Sequence, residues 1–246
     1  MMGRAWLKLT MTELRLFFRL PIAAFFTIAF PLMLLVVTGS IFGNAPQPGS
    51  DLGAVDLTTP AYFAMIVGTV GLLTVPGWVA TYRERGVFRR FQVTPVSPAA
   101  LLAAQGTVGA IAALAGASLL VIAGRVVFRL HWPAAPFSLL LGMLLSLGAM
   151  ISLGFVIAAA AKDARTAQAI GMICYFPMLF LSGAAFPRQL MPPGVRRLSE
   201  LIPLSHVTDL LSGLWFDARW TPSSVLVLSG LTVASIAVGA RLFRWE

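Results

Sequence analysis

The sequence predicts an all-α membrane protein with six transmembrane helices, and three observations carry that prediction. The chain has 246 residues, of which 58% are hydrophobic and 11% charged, with a mean hydropathy of +0.87. Soluble domains run at roughly 45–50% apolar and about 25% charged. Second, the charges leave six long uncharged intervals: Leu20–Phe42, Leu57–Tyr82, Phe91–Gly124, Leu130–Ala161, Thr166–Pro187 and Trp220–Ala240. Each holds the roughly 20 residues that cross a hydrocarbon core of about 30 Å as helix. Third, none alternates with a two-residue period, which argues against a β-barrel. Almost nothing is left over for a soluble domain.

The chain opens on an interfacial helix expected over residues 1–19. Arg4, Lys8, Thr12, Arg15 and Arg19 stack on one face, with Trp6, Leu9, Leu16, Phe17 and Leu20 largely opposite. Glu13 interrupts the apolar face, so a loosely ordered basic tail is the alternative. The first apolar run is too long for a signal sequence and lacks a small-x-small cleavage site, so it is expected to stay as an anchor. The spans are expected at 20–42, 57–82, 99–124, 137–161, 166–187 and 220–240. Pro21 and Pro31 fall in the first, Pro60 and Pro76 in the second. Proline bends a helix by removing a backbone hydrogen bond; bent spans suit a mobile or cavity-lining pair, or are ordinary membrane-helix prolines. Gly43–Asp56 is a plain external connection.

Ser97 as N-cap and Pro98 at the first helical position open the third span. Small residues (Gly106, Gly109, Ala113, Gly116, Ala117) favour close packing there. Lys162–Arg165 is a tight inner turn that makes the fourth and fifth spans antiparallel neighbours. The segment 187–217 is long and only moderately polar. Pro192 and Pro193 start one short helix, Pro203 ends it, and Val207, Leu210, Leu211 and Leu214 give the apolar face of a second. Both are too short to cross, so they are expected to be re-entrant at the outer face.

Lysine and arginine set the orientation. With the N-terminus inside, twelve of the eighteen lie on the inner face: Arg4, Lys8, Arg15, Arg19, Arg83, Arg85, Arg89, Arg90, Lys162, Arg165, Arg241 and Arg244. Both termini are therefore expected in the cytoplasm. The net charge of +9 fits this topology and an anionic inner leaflet, and points away from nucleic acid.

Catalytic chemistry finds no footing. The phosphate-binding pattern Gly-x4-Gly-Lys-Ser/Thr needs a lysine after glycine, and the two lysines, Lys8 and Lys162, follow Leu7 and Ala161. His131 and His206 sit on different loops and Cys174 is mid-span, so no metal site is expected. His206 near Asp209 reads as an interfacial polar pair. Ser118 has no intramembrane histidine to activate it. The spans lack Asp, Glu, Lys and Arg, where ion-driven carriers place ionisable groups. Energy for any transport should then come from outside the bilayer.

The densest charge lies at Tyr82–Ala100. The inner loop carries Arg83-Glu84-Arg85-Gly86 and Arg89-Arg90-Phe91, and the next span opens on Thr94-Pro95-Val96-Ser97-Pro98. Later come Ser182-Gly183-x-x-Phe186-Pro187 and Ile202-Pro203-Leu204-Ser205-His206. In this order across six spans, the chain resembles the membrane subunit of ABC-2 type exporters, in the drug-efflux-like branch. The resemblance implies a homodimeric permease in a bacterial plasma membrane, in contact with membrane lipid, serving two copies of a separately encoded ABC ATPase. No cofactor would sit in this chain; ATP and magnesium would be held by the ATPase. It implies a coupling helix over Arg83, Glu84, Arg85, Gly86, Val87, Phe88, Arg89, Arg90 and Phe91, with Glu84 paired to basic residues. Positive-inside anchoring alone is the other account of Arg89 and Arg90. It further implies a cavity between the first, second and fifth spans at the dimer axis, with Phe63, Met65, Met172, Tyr175, Phe176 and Leu179 as candidates. Each of these could instead face lipid or a neighbouring helix. Pro203, Ser205 and His206 would belong to an external gate. The expected cargo is a drug or other amphipathic compound. A lipid or lipid-linked polysaccharide is the alternative, as is a non-transport assembly or sensor protein.

Overall fold

The computed structural model describes residues 10–14, 24–46, 51–87, 98–185, 188 and 191–242. We number the helices α1 (Phe25–Phe42), α2 (Ala54–Glu84), α3 (Pro98–Phe128), α4 (Pro136–Ala160), α5 (Ala164–Leu181), α6 (Pro193–Ser199), α7 (Pro203–Phe216) and α8 (Pro222–Leu242). Residues 10–14 are helical as well, and no strand occurs among the described residues. Helices α1–α5 and α8 are long and apolar enough to cross a membrane. The protein is an all-α membrane protein, as its composition predicts. Arg4, Lys8, Arg15 and Arg19 of the expected interfacial helix, and Ser97 of the expected cap, lie outside the described residues.

Helix α2 is the centre of the bundle. Of its most apolar stretch 89% is buried, against 56% for α4 and 11% for α8. It packs on α1, α3, α4, α5 and α7. A helix so enclosed needs side chains that fill space on every side. It has them in Tyr62, Phe63, Met65, Ile66, Val67, Val70 and Leu72, all in the main core.

The prolines act through local rewinding. Five-residue π turns occupy Phe25–Ala29 and Val70–Thr74, closed by Phe30 N–H on the Phe25 carbonyl and by Val75 N–H on that of Val70. Each turn is followed within two residues by a proline, Pro31 or Pro76. A proline gives no N–H to the carbonyl four residues back, here Thr27 or Leu72. These carbonyls meet glycines on neighbouring helices: a Cβ on Gly116 of α3 would lie 3.0 Å from the Thr27 oxygen, and one on Gly171 of α5 would overlap that of Leu72. A Cβ on Gly154 of α4 would overlap the adjoining Gly71 carbonyl. Backbone-to-backbone approach at small residues is how membrane helices gain dispersion contacts where no hydrophobic effect drives them together. At the π turns neighbouring helices thus approach backbone to backbone, α3 on α1 and both α4 and α5 on α2.

The connection Gly43–Asp56 is more than a plain external link. Helix α2 begins at Ala54, so Asp56 lies in its first turn, fully buried. The Asn44 side-chain oxygen accepts from the Val55 and Asp56 amides, both at 3.1 Å. The Asp56 carboxylate accepts from Gly53 N–H at 3.0 Å and His131 N–H at 2.8 Å, with His131 Nδ1 at 3.0 Å. A carboxylate also suits the positive end of the helix dipole. One acid therefore joins the outer end of α2 to the α3–α4 loop. Asp56→Leu strands the Gly53 and His131 amides, and should cost about 2 kcal/mol or more; the unfolding midpoint in detergent measures it.

The outer segment forms the two short helices expected of it. Helix α7 buries Leu204, Val207, Leu210, Leu211, Leu214 and Trp215 and packs on α2, α4 and α8. Phe186 and Pro187, at its approach, lie outside the described residues.

Candidate functional site

Helices α1, α2 and α5 frame an elongated groove of about 940 Å³. Phe26, Phe30, Leu34 and Thr38 line it from α1, Met172, Tyr175, Phe176, Leu179 and Phe180 from α5, and Tyr62, Met65, Thr69, Trp78, Tyr82 and Arg85 from α2. Its wall is largely aromatic, with methionines that repack around different shapes. Five of the six expected cavity residues line it: Met65, Met172, Tyr175, Phe176 and Leu179. Phe63 does not. It packs edge-on against Trp215 of α7, ring centroids 5.5 Å apart, on another side of α2.

Polar groups run along this aromatic wall, a pattern the sequence reading passed over. All three tyrosines of the chain line the groove, and each hydroxyl is bonded. Tyr62 pairs with Thr38 at 2.6 Å, Tyr175 with Thr69 at 2.9 Å, and Tyr82 donates to the Glu13 carboxylate, 2.9 Å from both oxygens. Buried tyrosine bonded at its tip keeps a rigid apolar face toward a ligand. Glu13 is the acid among the lining residues and is only 6% exposed. Burial pushes its carboxyl up from the ordinary value, and the Tyr82 hydrogen bond partly offsets this. The one trace of this role in the sequence was an acid breaking an apolar face.

The last turn of α2 forms a clasp on the α4–α5 turn. Arg83 donates from Nη1 to the Ala158 carbonyl at 3.1 Å and from Nη2 to the Ala161 carbonyl. These are carbonyls at the C-terminus of α4, where a cation is favoured. Glu84 accepts the Ala164 N–H at 2.7 Å, the first amide of α5, where an anion is favoured. The expected pairing of Glu84 with basic residues is absent among the described residues; its partner is a helix terminus. Arg83 and Glu84 are thus bonded to the protein's own inner turn. Arg85 is exposed at the groove, Gly86 takes the left-handed conformation (φ 62°) and Val87 packs half-buried on the core. Phe88, Arg89, Arg90 and Phe91 lie outside the described residues.

Asp163 completes the inner turn by accepting Thr166 N–H at 2.6 Å as the N-cap of α5. That hydrogen bond holds its carboxyl below the usual carboxylate value. A depressed acid stabilises the fold above its unfolded pKa, and that stability is lost as pH falls through the folded one. Wild-type stability should therefore drop below about pH 4 by more than that of Asp163→Ala, and unfolding midpoints across that range test it.

Around α7 the expected His206–Asp209 pair does not form. Asp209 takes a two-oxygen bond from Arg188 Nη1, at 2.6 and 2.7 Å. His206 bridges instead from Nε2 to the Glu200 carbonyl at 3.0 Å and from Nδ1 to Ser224 Oγ at 3.4 Å. It ties the α6–α7 corner to α8. Pro203 sits in the first turn of α7. Ser205 is buried, its hydroxyl without a hydrogen-bond partner among the described residues. Arginine at 188 and aspartate at 209 are 21 positions apart, a spacing that no local pattern flags.

A bundle of apolar helices around an amphipathic groove, with its charges held at the two ends, defines a multi-pass membrane permease. A family model described as "ABC-2 type transporter" matches residues 4–216, and the chain belongs to that family. It is a membrane subunit of an ABC transporter, of the kind that works with an ABC ATPase. Among curated proteins it is similar to Nodulation protein J of Sinorhizobium fredii, 27% identical over 198 residues, covering 72% of this chain and 74% of that protein. It is also similar to the inner membrane transport permease YhhJ of Escherichia coli, 24% identical over 191 residues, or 73% of this chain and 51% of that protein. The chain thus matches about half the length of that second relative. Nodulation protein J of Rhizobium leguminosarum bv. viciae is 33% identical over 100 residues, 41% of this chain and 38% of that protein.

Proposed function

We propose that two copies of this chain form the transmembrane part of an ATP-driven exporter that moves drugs or other amphipathic compounds out of a bacterial cell. Two copies of a separately encoded ATPase, holding ATP and magnesium, would supply the energy. Both termini would face the cytoplasm. Closure of the ATPases would move the coupling segment that begins at Arg83, and the groove would switch from inward-open to outward-open. Pro203, Ser205 and His206 would contribute to the outer gate.

The observation that carries this reading is the groove between α1, α2 and α5, lined by aromatic rings, methionines and bonded tyrosine hydroxyls. Such a surface accepts bulky molecules with both apolar and hydrogen-bonding parts. The YhhJ relative, a transport permease of an inner membrane by its name, supports the location. The test is affinity purification of the tagged chain from its own membranes, reconstitution, and ATPase assay against a panel of amphipathic compounds. Retention of an ABC ATPase, with stimulation and ATP-dependent uptake into inverted vesicles, is expected. A chain that retains no ATPase, or a complex that moves none of the panel, would overturn the drug-exporter reading. Uptake of a lipid-linked glycan alone would establish the alternative cargo.

A further inference from the structure

We infer that Glu13 and the aromatic rings around the inner part of the groove form a recognition site for an organic cation. As a statement about cargo this rests on the exporter reading above; as a statement about binding it stands on the chain alone. Glu13 lines the groove and is almost wholly buried, yet the bond recorded for its carboxylate is a neutral one, from the Tyr82 hydroxyl. Neither ion pair formed among the described residues involves it. A carboxylate withdrawn from water with no ion-pair partner among the described residues is costly. A site for a cation is the arrangement in which that cost is recovered on binding.

The surrounding wall suits the same ligand. Trp78 and Tyr82 line this end with Glu13, and Phe26, Phe30, Tyr175, Phe176 and Phe180 continue the groove. Aromatic faces attract a desolvated cation through their quadrupoles. A large lipophilic cation gains from both the rings and the carboxylate. Its neutral analogue gains from the rings alone, and an anion is repelled. Among the described residues the other charged one lining the groove is Arg85, which is exposed and lies three positions beyond Tyr82. It weakens the selectivity without cancelling it, because its charge is hydrated while that of Glu13 is not.

Tetraphenylphosphonium and tetraphenylborate separate charge from shape, since they are nearly the same size and opposite in sign. The full chain is purified in an uncharged maltoside detergent, and binding of each ion is measured by equilibrium dialysis. The expected result is a clear preference for tetraphenylphosphonium. Glu13→Gln should weaken its binding about tenfold, the scale of one charge-assisted contact, and strengthen that of tetraphenylborate by relieving the repulsion. Arg85→Gln should shift the preference the other way, strengthening the cation a few-fold, and remains informative if Glu13→Gln fails to fold. Equal binding of the two ions, binding of neither, or a cation preference that survives Glu13→Gln would each overturn the site. None of these outcomes bears on whether the chain retains an ATPase, so the exporter reading stands or falls separately.

Discussion

Breaking the inner clasp with Arg83→Met and Glu84→Met together should uncouple the transporter. The double variant should keep most of its ATP hydrolysis and move about tenfold less substrate per ATP. Three hydrogen bonds hold the end of α2 to the α4–α5 turn. At about 1 kcal/mol each, less for the exposed Glu84 contact, they are worth roughly 2 kcal/mol, more than a tenfold change in the population of the joined state. With the clasp intact, a push on the segment after Gly86 would reach the joined ends of α2, α4 and α5 together. The control is the conservative pair Arg83→Lys and Glu84→Gln. Glutamine still offers a carbonyl oxygen to Ala164 N–H, and lysine still donates to helix-terminal carbonyls, so most coupling should return. If the two residues worked through their charge on the ATPase surface, Glu84→Gln would fail as badly as Glu84→Met. Transport per ATP in proteoliposomes decides between these accounts.

Gly154→Val should be the most destabilising single substitution on α4. A Cβ there overlaps the Gly71 carbonyl oxygen and lies 3.3 Å from the Pro76 Cδ. Neither is the free end of a flexible side chain, so relief requires α4 to move away from α2. Overpacking costs typically 1–3 kcal/mol; with backbone on the receiving side, about 3 kcal/mol is expected. Gly148→Val on the same helix is the control, because nothing lies within 4 Å of a Cβ there. It should fall within about 0.5 kcal/mol of wild type. Unfolding midpoints of the two variants in detergent test the grip on α2, and equal midpoints would refute it.

Much of the architecture was legible in the order of residues. Six uncharged intervals became six apolar helices, because a charge inside a span is too costly to place without a partner. The turn expected at Lys162–Arg165 is shorter than that: α4 ends at Ala160 and α5 begins at Ala164, so Arg165 is already helical. The leucine spacing marked α7, but Pro203, expected to end the helix before it, opens α7 instead. The helix-breaking consequence of Pro31 and Pro76 was legible too, but not that it would take the form of π turns held by glycines of other helices.

The site was legible in kind but not in detail. Phe63 and Met65 are two positions apart in the same apolar run, yet Met65 lines the groove while Phe63 packs on Trp215. A soluble helix announces its buried face by a polar one opposite. A membrane helix is apolar on both, so its rotation cannot be read from periodicity. The polar contacts were hidden for another reason. Asp56 with His131, Glu13 with Tyr82 and Arg188 with Asp209 join residues 75, 69 and 21 positions apart.

What the sequence determined alone is the solvent: too few charges and too much apolar length for anything but a bilayer, with charges kept outside the long apolar runs. The tertiary structure decided which helix is central, which faces make the groove, and that Arg83 and Glu84 bind helix ends. These follow from how glycines, aromatic rings and hydrogen-bonding side chains of distant helices meet. That is a matter of three-dimensional fit between distant segments, and composition carries no record of it.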